Sequence, residues 1–311
     1  MQIYFKLISY NSLLQKLCLF LCKLIFLYCC KLCRYPKTLL VLSFSYYKNT
    51  HIALITPDHI YMISKSQIKF ISSLSQKKFR DESGMFIAEG TKLVLDLLPA
   101  FECVHAFATE EWKERNAGKN VSGFVTATEE ELRKISNQKS PQGVLAVFRK
   151  RESHFDVQQL KGRLSLALDD VQDPGNLGTI IRIADWFGVE DIFCSEFCAD
   201  AFGPKTVQAT MGALARVNIH YLNLNSFLAA LPADMPVYGT FMDGENIYSE
   251  KISANGIIVM GNEGNGISAT IEEKVNKRLL IPNYPLGSET SESLNVAVAT
   301  ALVCAEFRRR V

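Results

Sequence analysis

Three short stretches of this 311-residue chain gather the residue types that chemistry needs. Gln172-Asp173-Pro174-Gly175-Asn176-Leu177-Gly178 is followed closely by Arg182. Gly261-Asn262-Glu263-Gly264-Asn265-Gly266 is a glycine loop built around one carboxylate. Residues 282–295 end in Ser293-Leu294-Asn295. On spacing, the glycine loop admits two readings. Gly264-Asn265-Gly266-Ile267-Ser268-Ala269 fits the G-x-G-x-x-A dinucleotide fingerprint, in which backbone amides receive a pyrophosphate. Glu263 opposes that reading, because a carboxylate in the turn repels a pyrophosphate. The loop also lies too late in the chain for a complete Rossmann half to follow. A cationic or phosphate-free cofactor tolerates Glu263 far better. A glycine-rich turn with no ligand stays open on spacing alone.

The elements around these stretches place them together. Leu164-Ser165-Leu166-Ala167-Leu168 is an apolar run broken only by the small Ser165, the mark of a strand covered on both faces. It ends in Asp169-Asp170 and the first loop. A helix follows, with Ile180, Ile181, Ala184 and Phe187 inward and Gly188 closing it. Strands are predicted at 192–194, 217–222, 237–241, 256–260 and 279–281. Helices are predicted at 207–215, at 227–231, after Ser268 as a cap, and from about Ser293 to Arg308. Strand–helix alternation of this kind implies a parallel α/β sheet. Ligands in such sheets sit at the carboxyl ends of the strands, where all three loops fall.

Residues 62–148 form a separate, smaller α/β pattern. Ile68, Ile71 and Leu74 have helical spacing, and 81–84 reads as a turn. Strands are predicted at 85–88, 104–108, 124–126 and 144–148. Helices are predicted at 91–98 and, capped by Thr128, at 129–135. No plausible catalytic cluster occurs there. Arg149-Lys150-Arg151-Glu152-Ser153 opens a charged linker over 149–161, and the main α/β domain covers 162–311.

Composition sets the class and marks one anomaly. Apolar residues make up 48% and charged residues 21%, which excludes collagen-like, low-complexity and wholly disordered chains. Residues 1–61 hold seven of the 34 basic residues but one of the 32 acidic ones, so the remainder is net acidic. Bulk charge therefore does not hold a nucleic acid here, and any RNA must be met by local patches. The same 61 residues contain no glycine, seven of eleven tyrosines and five of nine cysteines. Their apolar run 17–30 is interrupted by Lys23 and is shorter than a membrane span needs. It offers no small-residue cleavage site. Ordinary composition begins at Met62, so residues 1–61 are expected to be a non-native or disordered extension of a cytoplasmic protein. Cys103, Cys194, Cys198 and Cys304 read as scattered reduced thiols. The five histidines are isolated, and no Cys-x-x-Cys pair has a partner pair, so no metal is expected.

Taken together, the three loops carry a resemblance. Asn176-Leu177-Gly178-Thr179-Ile180-Ile181-Arg182 resembles the N-x-G-x-x-x-R first motif of the SpoU (TrmH-type) RNA ribose methyltransferases of the SPOUT superfamily. Met260 to Gly266 resembles their second motif. Ile281-Pro282 with Ser293-Leu294-Asn295-Val296-Ala297-Val298-Ala299 resembles their third. Phe79-Arg80 and Phe86-Ile87-Ala88-Glu89-Gly90 resemble the family's substrate-binding domain. The likeness covers about 250 residues. The stretch 283–292 departs from it, being longer and more acidic than the usual loop.

The resemblance implies a parallel-sheet domain tied in a C-terminal trefoil knot, preceded by a small α/β RNA-binding domain. It implies a homodimer with its active site near the subunit interface. It implies S-adenosyl-L-methionine as methyl donor and a ribose 2′-hydroxyl of structured RNA, rRNA or tRNA, as acceptor. The residues suit those roles. A sulfonium donor carries no phosphate, so Glu263 is tolerable. Gly261, Gly264 and Gly266 would allow close backbone approach, and Thr240, Ile281 and Leu294 would contact the donor. Arg182 would clamp the developing alkoxide or a neighbouring phosphate; a guanidinium holds its proton too tightly to serve readily as base. Asn176 and Asn295 would hold Arg182 and the loops, with Asn176 as helix N-cap the alternative. Ser293 would either cap the last helix or bond cofactor or substrate. Glu263 would orient Asn or Arg partners. Lys77, Lys78 and Arg80 form a candidate RNA patch. Arg308-Arg309-Arg310 suits a solvated helix end. A non-catalytic RNA-binding protein and a dinucleotide-dependent oxidoreductase are the competing readings.

Overall fold

The computed structural model describes residues 63–119, 121, 123–152, 155–285 and 293–310. The expectations for residues 1–61 lie outside the described residues. Among the described residues no helix is long and apolar enough to cross a membrane.

The first helix is set locally. Ser64 and Gln67 form a capping box, each side chain accepting the other's backbone N–H. It opens α1 (Lys65–Ser73). Helix α2 (Lys77–Ser83) ends on Gly84, at φ 66°. The turn read at 81–84 is therefore the last turn of a helix, because a left-handed cap needs only one glycine. There follow β1 (Met85–Glu89), α3 (Thr91–Leu97), β2 (Cys103–Ala108), α4 (Glu110–Arg115), β3 (Val125–Thr126), α5 (Glu129–Ile135) and β4 (Val144–Arg149). The four strands lie in the order β1-β4-β2-β3. Helix α4 escapes sequence reading because it buries a single apolar residue, Trp112, and so has no period.

The larger part runs β5 (Leu164–Leu168), α6 (Pro174–Trp186), β6 (Asp191–Cys194), α7 (Pro204–Thr210), β7 (Asn218–Tyr221), α8 (Leu224–Ala229), β8 (Val237–Asn246), β9 (Gly256–Met260), α9 (Ala269–Glu272), β10 (Lys277–Leu280) and α10 (Val296–Arg309). Its six strands are all parallel, in the order β10-β8-β9-β5-β6-β7. Strands β5 and β9 take the middle, and every residue of both is buried. That burial is why they read as largely apolar runs, with Ser165 the one polar side chain. The chain moves outward from β5 to β7, then returns through β8 to set β9 against β5. The loops after β5 and β9 thus share the switch point of the sheet.

Several boundaries move: the helix expected at 227–231 spans Leu224–Ala229, and the strand expected at 237–241 runs on to Asn246. The helix expected over 207–215 breaks at Met211 and Gly212, whose φ angles are 51° and 95°. The last helix starts at Val296 rather than Ser293, because Asn295 caps it.

The two parts are not strung on a free linker. One apolar cluster joins Phe86, Val94, Phe101 and Phe148 to Val207, Ala213 and Leu214. The rings of Phe86 and Phe202 lie 5.0 Å apart. The segment read as linker is tied down at its start. Arg149 pairs with Glu102 at 2.8 Å and Lys150 with Asp81 at 2.9 Å. Arg151 donates to the carbonyls of Ala100 and Ala215, with its guanidinium over Phe101.

Arg80 corrects the sequence reading most directly. It is 4% exposed and so does not join an RNA-facing patch. Its Nε and Nη2 donate to Asp200 Oδ2 at 2.9 and 2.7 Å, and its Nη1 donates to the carbonyls of Leu74 and Ser75 at 2.8 Å each. Its charge is spent on joining the two parts. Lys77 and Lys78 remain exposed.

Removing one partner of a buried ion pair leaves the other uncompensated, at a cost of about 3–5 kcal/mol. Asp200→Ala should therefore lower the urea midpoint strongly, whereas Lys77→Ala should leave it unchanged. Equal midpoints for both variants would show that the Arg80–Asp200 pair does not hold the parts together.

Candidate active site

Asp173 starts the site. Its side chain accepts the N–H of Asn176 at 2.8 Å, and Pro174 occupies the first position of α6. Asp173 is thus the helix cap, and Asn176 is not. Freed from capping, the Asn176 carboxamide reaches across the sheet end. Its Nδ2 donates to Glu263 Oε1 at 2.7 Å, and its Oδ1 accepts from Asn295 Nδ2 at 2.9 Å. Asn295 Oδ1 then accepts the N–H groups of Ala297 and Val298, capping α10. One chain of hydrogen bonds links the first, second and third motifs.

Ser293 stands exposed two residues before that cap, so it does not cap the helix. Leu294 is also exposed, and Ile281 packs partly against the core. Thr240 follows Gly239, which pairs with Val259. That register places Thr240 level with Met260, beside the start of the glycine loop.

Arg182 does not join the network. It lies six residues after Asn176, roughly 120° around the helix. It shares an exposed side of α6 with Gly175, Thr179 and Trp186. Among the described residues it makes no hydrogen bond or ion pair. The expectation that Asn176 and Asn295 hold Arg182 is not met; they hold each other and Glu263.

The glycine loop is held by residues that the motif reading did not assign. Asn262 and Gly266 exchange backbone hydrogen bonds at 2.9 Å. The Asn262 side chain accepts from the amides of Gly264 and Asn265 and donates to the Asp170 carbonyl at 2.8 Å. Asp169, 5% exposed, accepts the N–H of Ser268 at 2.7 Å. Asp170 sits at φ 57° and is fixed by Ser195, whose hydroxyl donates to its carboxylate at 2.5 Å. The signal available in sequence was two carboxylates at the end of an apolar run. Behind this end of the sheet, a hydrogen bond from Cys194 holds the Cys198 thiol below its ordinary pKa and raises that of Cys194.

Two motif glycines turn out to serve packing. A Cβ on Gly178 would meet Ala209 Cβ at 2.5 Å and the Thr206 carbonyl at 2.8 Å, so α6 and α7 cross at backbone distance. A Cβ on Gly261 would meet Gly266 C at 2.3 Å and Ile267 N at 2.4 Å. Gly261 therefore closes the loop on itself. The sequence reading, which gave it close approach to a ligand, misses this cause.

Other tempting residues are structural. His220 is buried, 2.9 Å from Asp191 and stacked on Phe193. Cys103, Cys194, Cys198 and Cys304 are free thiols. Among the described residues no three His, Cys, Asp or Glu side chains gather as a metal site needs.

The site fits a cofactor without phosphates. Loop 261–268 contains a carboxylate and no basic side chain to neutralise a pyrophosphate. Fold and site together define a two-part α/β protein with an Asn-Glu-Asn network at the carboxyl ends of a parallel sheet. Comparison with known proteins gives this class a name. Residues 163–305 match the SpoU rRNA Methylase family, and residues 65–146 match the MRM3-like substrate binding domain. The 23S rRNA (guanosine(2553)-2′-O)-methyltransferase RlmP of Bacillus subtilis is 32% identical over 247 residues, covering 78% of this chain and 96% of the relative. A TrmH-family protein from Porphyromonas gingivalis superposes at TM-score 0.71 with 40% identity, covering 80% of this chain and all of that one. The AdoMet-bound rRNA methyltransferase from Sinorhizobium meliloti superposes at 0.69 with 32% identity, covering 80% and 97%. The chain belongs to the SpoU methyltransferase family.

Asn176→Asp should place two carboxylates face to face and release the glycine loop at neutral pH. Cofactor affinity should therefore fall, since the part-buried donor to Glu263 is lost. Isothermal titration checks this, and a wild-type affinity would remove Asn176 from the support of the loop. Gly261→Ala should weaken cofactor binding by reshaping the loop. Gly264→Ala should leave the fold intact, since the atom nearest its Cβ is Asn262 Oδ1 at 3.6 Å.

Proposed function

We propose that this protein methylates a ribose 2′-hydroxyl in ribosomal RNA, with S-adenosyl-L-methionine as donor. The hydrogen-bonded chain Glu263–Asn176–Asn295 carries this reading, because it ties three distant motifs into one site. The donor supplies an electrophilic methyl group on a sulfonium. Gly261, Gly264 and Gly266, with Thr240, Ile281 and Leu294, form its pocket. Glu263 offers a negative charge that suits a cation and would oppose a dinucleotide.

The acceptor oxygen must lie in line with that methyl and lose its proton as it reacts. Arg182 remains charged throughout, so it acts as an electrostatic clamp on the oxygen or a neighbouring phosphate. Its lack of partners among the described residues leaves its whole donor fork for substrate. The catalytic unit is the domain 162–311, tied in the family's trefoil knot, and the RNA-binding unit is 62–148, with Lys77 and Lys78 on its surface.

The working form is a homodimer in the cytoplasm, with the site near the subunit interface. Support comes from α6 and α10, which pack together. Trp186 is 85% exposed on the first, and Val298 and Leu302 are exposed on the second. A second copy would cover this apolar face. The Bacillus subtilis and Sinorhizobium meliloti relatives are rRNA methyltransferases, which favours rRNA over tRNA as substrate.

Arg182→Ala should lower single-turnover methylation of rRNA by about 10²–10³, the usual loss for one preorganised donor. Its affinity for S-adenosylmethionine should stay near normal. Arg182→Lys should rescue little, since a point charge lacks the planar fork. Calorimetry with S-adenosylmethionine, S-adenosylhomocysteine and NAD separates the competing classes. A wild-type rate in Arg182→Ala, or binding of NAD alone, would overturn the proposal.

A further inference from the structure

A cleft of about 730 Å³ opens between the two parts of the molecule. Arg80 and Glu89 line one wall, and Lys205, Thr206 and Gln208 of α7 line another. Its rim includes Pro174, the first residue of α6, two positions before Asn176. The cleft is therefore continuous with the start of the helix that carries the active-site network. Its size falls in the range of roughly 300–1,000 Å³ typical of small-molecule sites.

The cleft is built by a specific chain of contacts. Glu89, 6% exposed, accepts the N–H of Asn137 at 2.8 Å and the hydroxyl of Ser136. That buried carboxylate fixes the turn carrying Gln138. The Gln138 Nε2 then donates to Gln208 Oε1 at 3.0 Å across the cleft. Two further side-chain groups remain unused among the described residues, Gln138 Oε1 and Gln208 Nε2. Together they present an acceptor and donors, the pattern that reads a base edge. Lys205 is exposed on the rim, with no anionic partner among the described residues, and suits a phosphate. Arg80 is saturated by Asp200 and two carbonyls, and so serves as wall.

We infer that this cleft receives one nucleotide of the substrate RNA, at or beside the methylated position, with Gln138 and Gln208 on its base and Lys205 on its phosphate. This rests on the methyltransferase reading above. Glu89 is a positioning residue here, since it acts through the turn at 136–138. The small N-terminal part thereby helps to choose which nucleotide is methylated, beyond holding RNA by charge. The fixed junction between the two parts is what makes such a choice possible, because a free linker could not hold Gln138 opposite Gln208.

The test uses the full chain and total rRNA from a strain lacking the gene. The methylated site is then mapped, and transcripts are made with each base at that position and its two neighbours. Gln138→Ala combined with Gln208→Ala should lower kcat/KM for RNA by about tenfold or more and blunt the preference among those transcripts. S-adenosylmethionine affinity and the thermal midpoint should remain at wild-type values. Lys205→Ala should weaken RNA binding for all transcripts alike and reduce its salt dependence, and Lys205→Arg should restore both. Unchanged base preference in the double variant would overturn the inference. A uniform loss accompanied by a lower thermal midpoint would do the same, since it would mark the glutamines as a structural bridge. If the wild-type chain methylates no ribose, the methyltransferase reading falls as well; an active wild type with unaffected variants removes the cleft assignment alone.

Discussion

The arrangement of the site rests on the side chain of Asn176. One carboxamide has a donor and an acceptor, and both are used on partners far away in sequence. The donor meets the Glu263 carboxylate and the acceptor meets Asn295. Hydrogen bonds to a charged group contribute about 1.5–3 kcal/mol, so the Glu263 contact is the stronger half. Neither aspartate nor leucine could replace Asn176, one lacking the donor and the other both groups. Asp173 makes this possible by taking over the capping of α6. The same economy appears at Asn295, whose oxygen caps α10 while its nitrogen holds Asn176.

A second set of bonds shapes the glycine loop from below. Asp169, Asp170 and Asn262 tie the end of β5 to the turn after β9. These strands are neighbours only because the chain returns through β8. The loop is thus fixed before any ligand arrives, by backbone bonds and by Gly261, which has no room for a side chain. Preorganisation of this kind lowers the ordering cost of binding.

The junction between the two parts obeys the same logic on a larger scale. A guanidinium as buried as Arg80 is tolerable only with its donors satisfied, and Asp200 with two carbonyls satisfies them. The shared aromatic and aliphatic core around Phe86 and Phe202 packs the two parts against each other. The opening between them therefore has a defined shape.

Much of this was legible in the residues alone. Leu164–Leu168 read as a covered strand and Gly256–Met260 as a very apolar one, and both are observed buried along their whole length, because a strand covered on both faces is mostly apolar. Thr128 marked the start of α5 as its cap, and the structure adds Glu131 as the other half of a capping box. The three loops, their order and their place at one end of a parallel sheet followed from the alternation of elements. Partnerships were not legible. Nothing in spacing says that Asn176 would choose Glu263 and Asn295 over Arg182, because the choice depends on which side of α6 faces the sheet. Nor does a basic run reveal that Arg80 turns inward while Lys77 and Lys78 stay out. Local sequence determined the elements and the residue types at their ends. Tertiary structure decided which of those ends meet, since hydrogen bonds between residues some 90–120 positions apart form only after the crossovers of the sheet have set their distance.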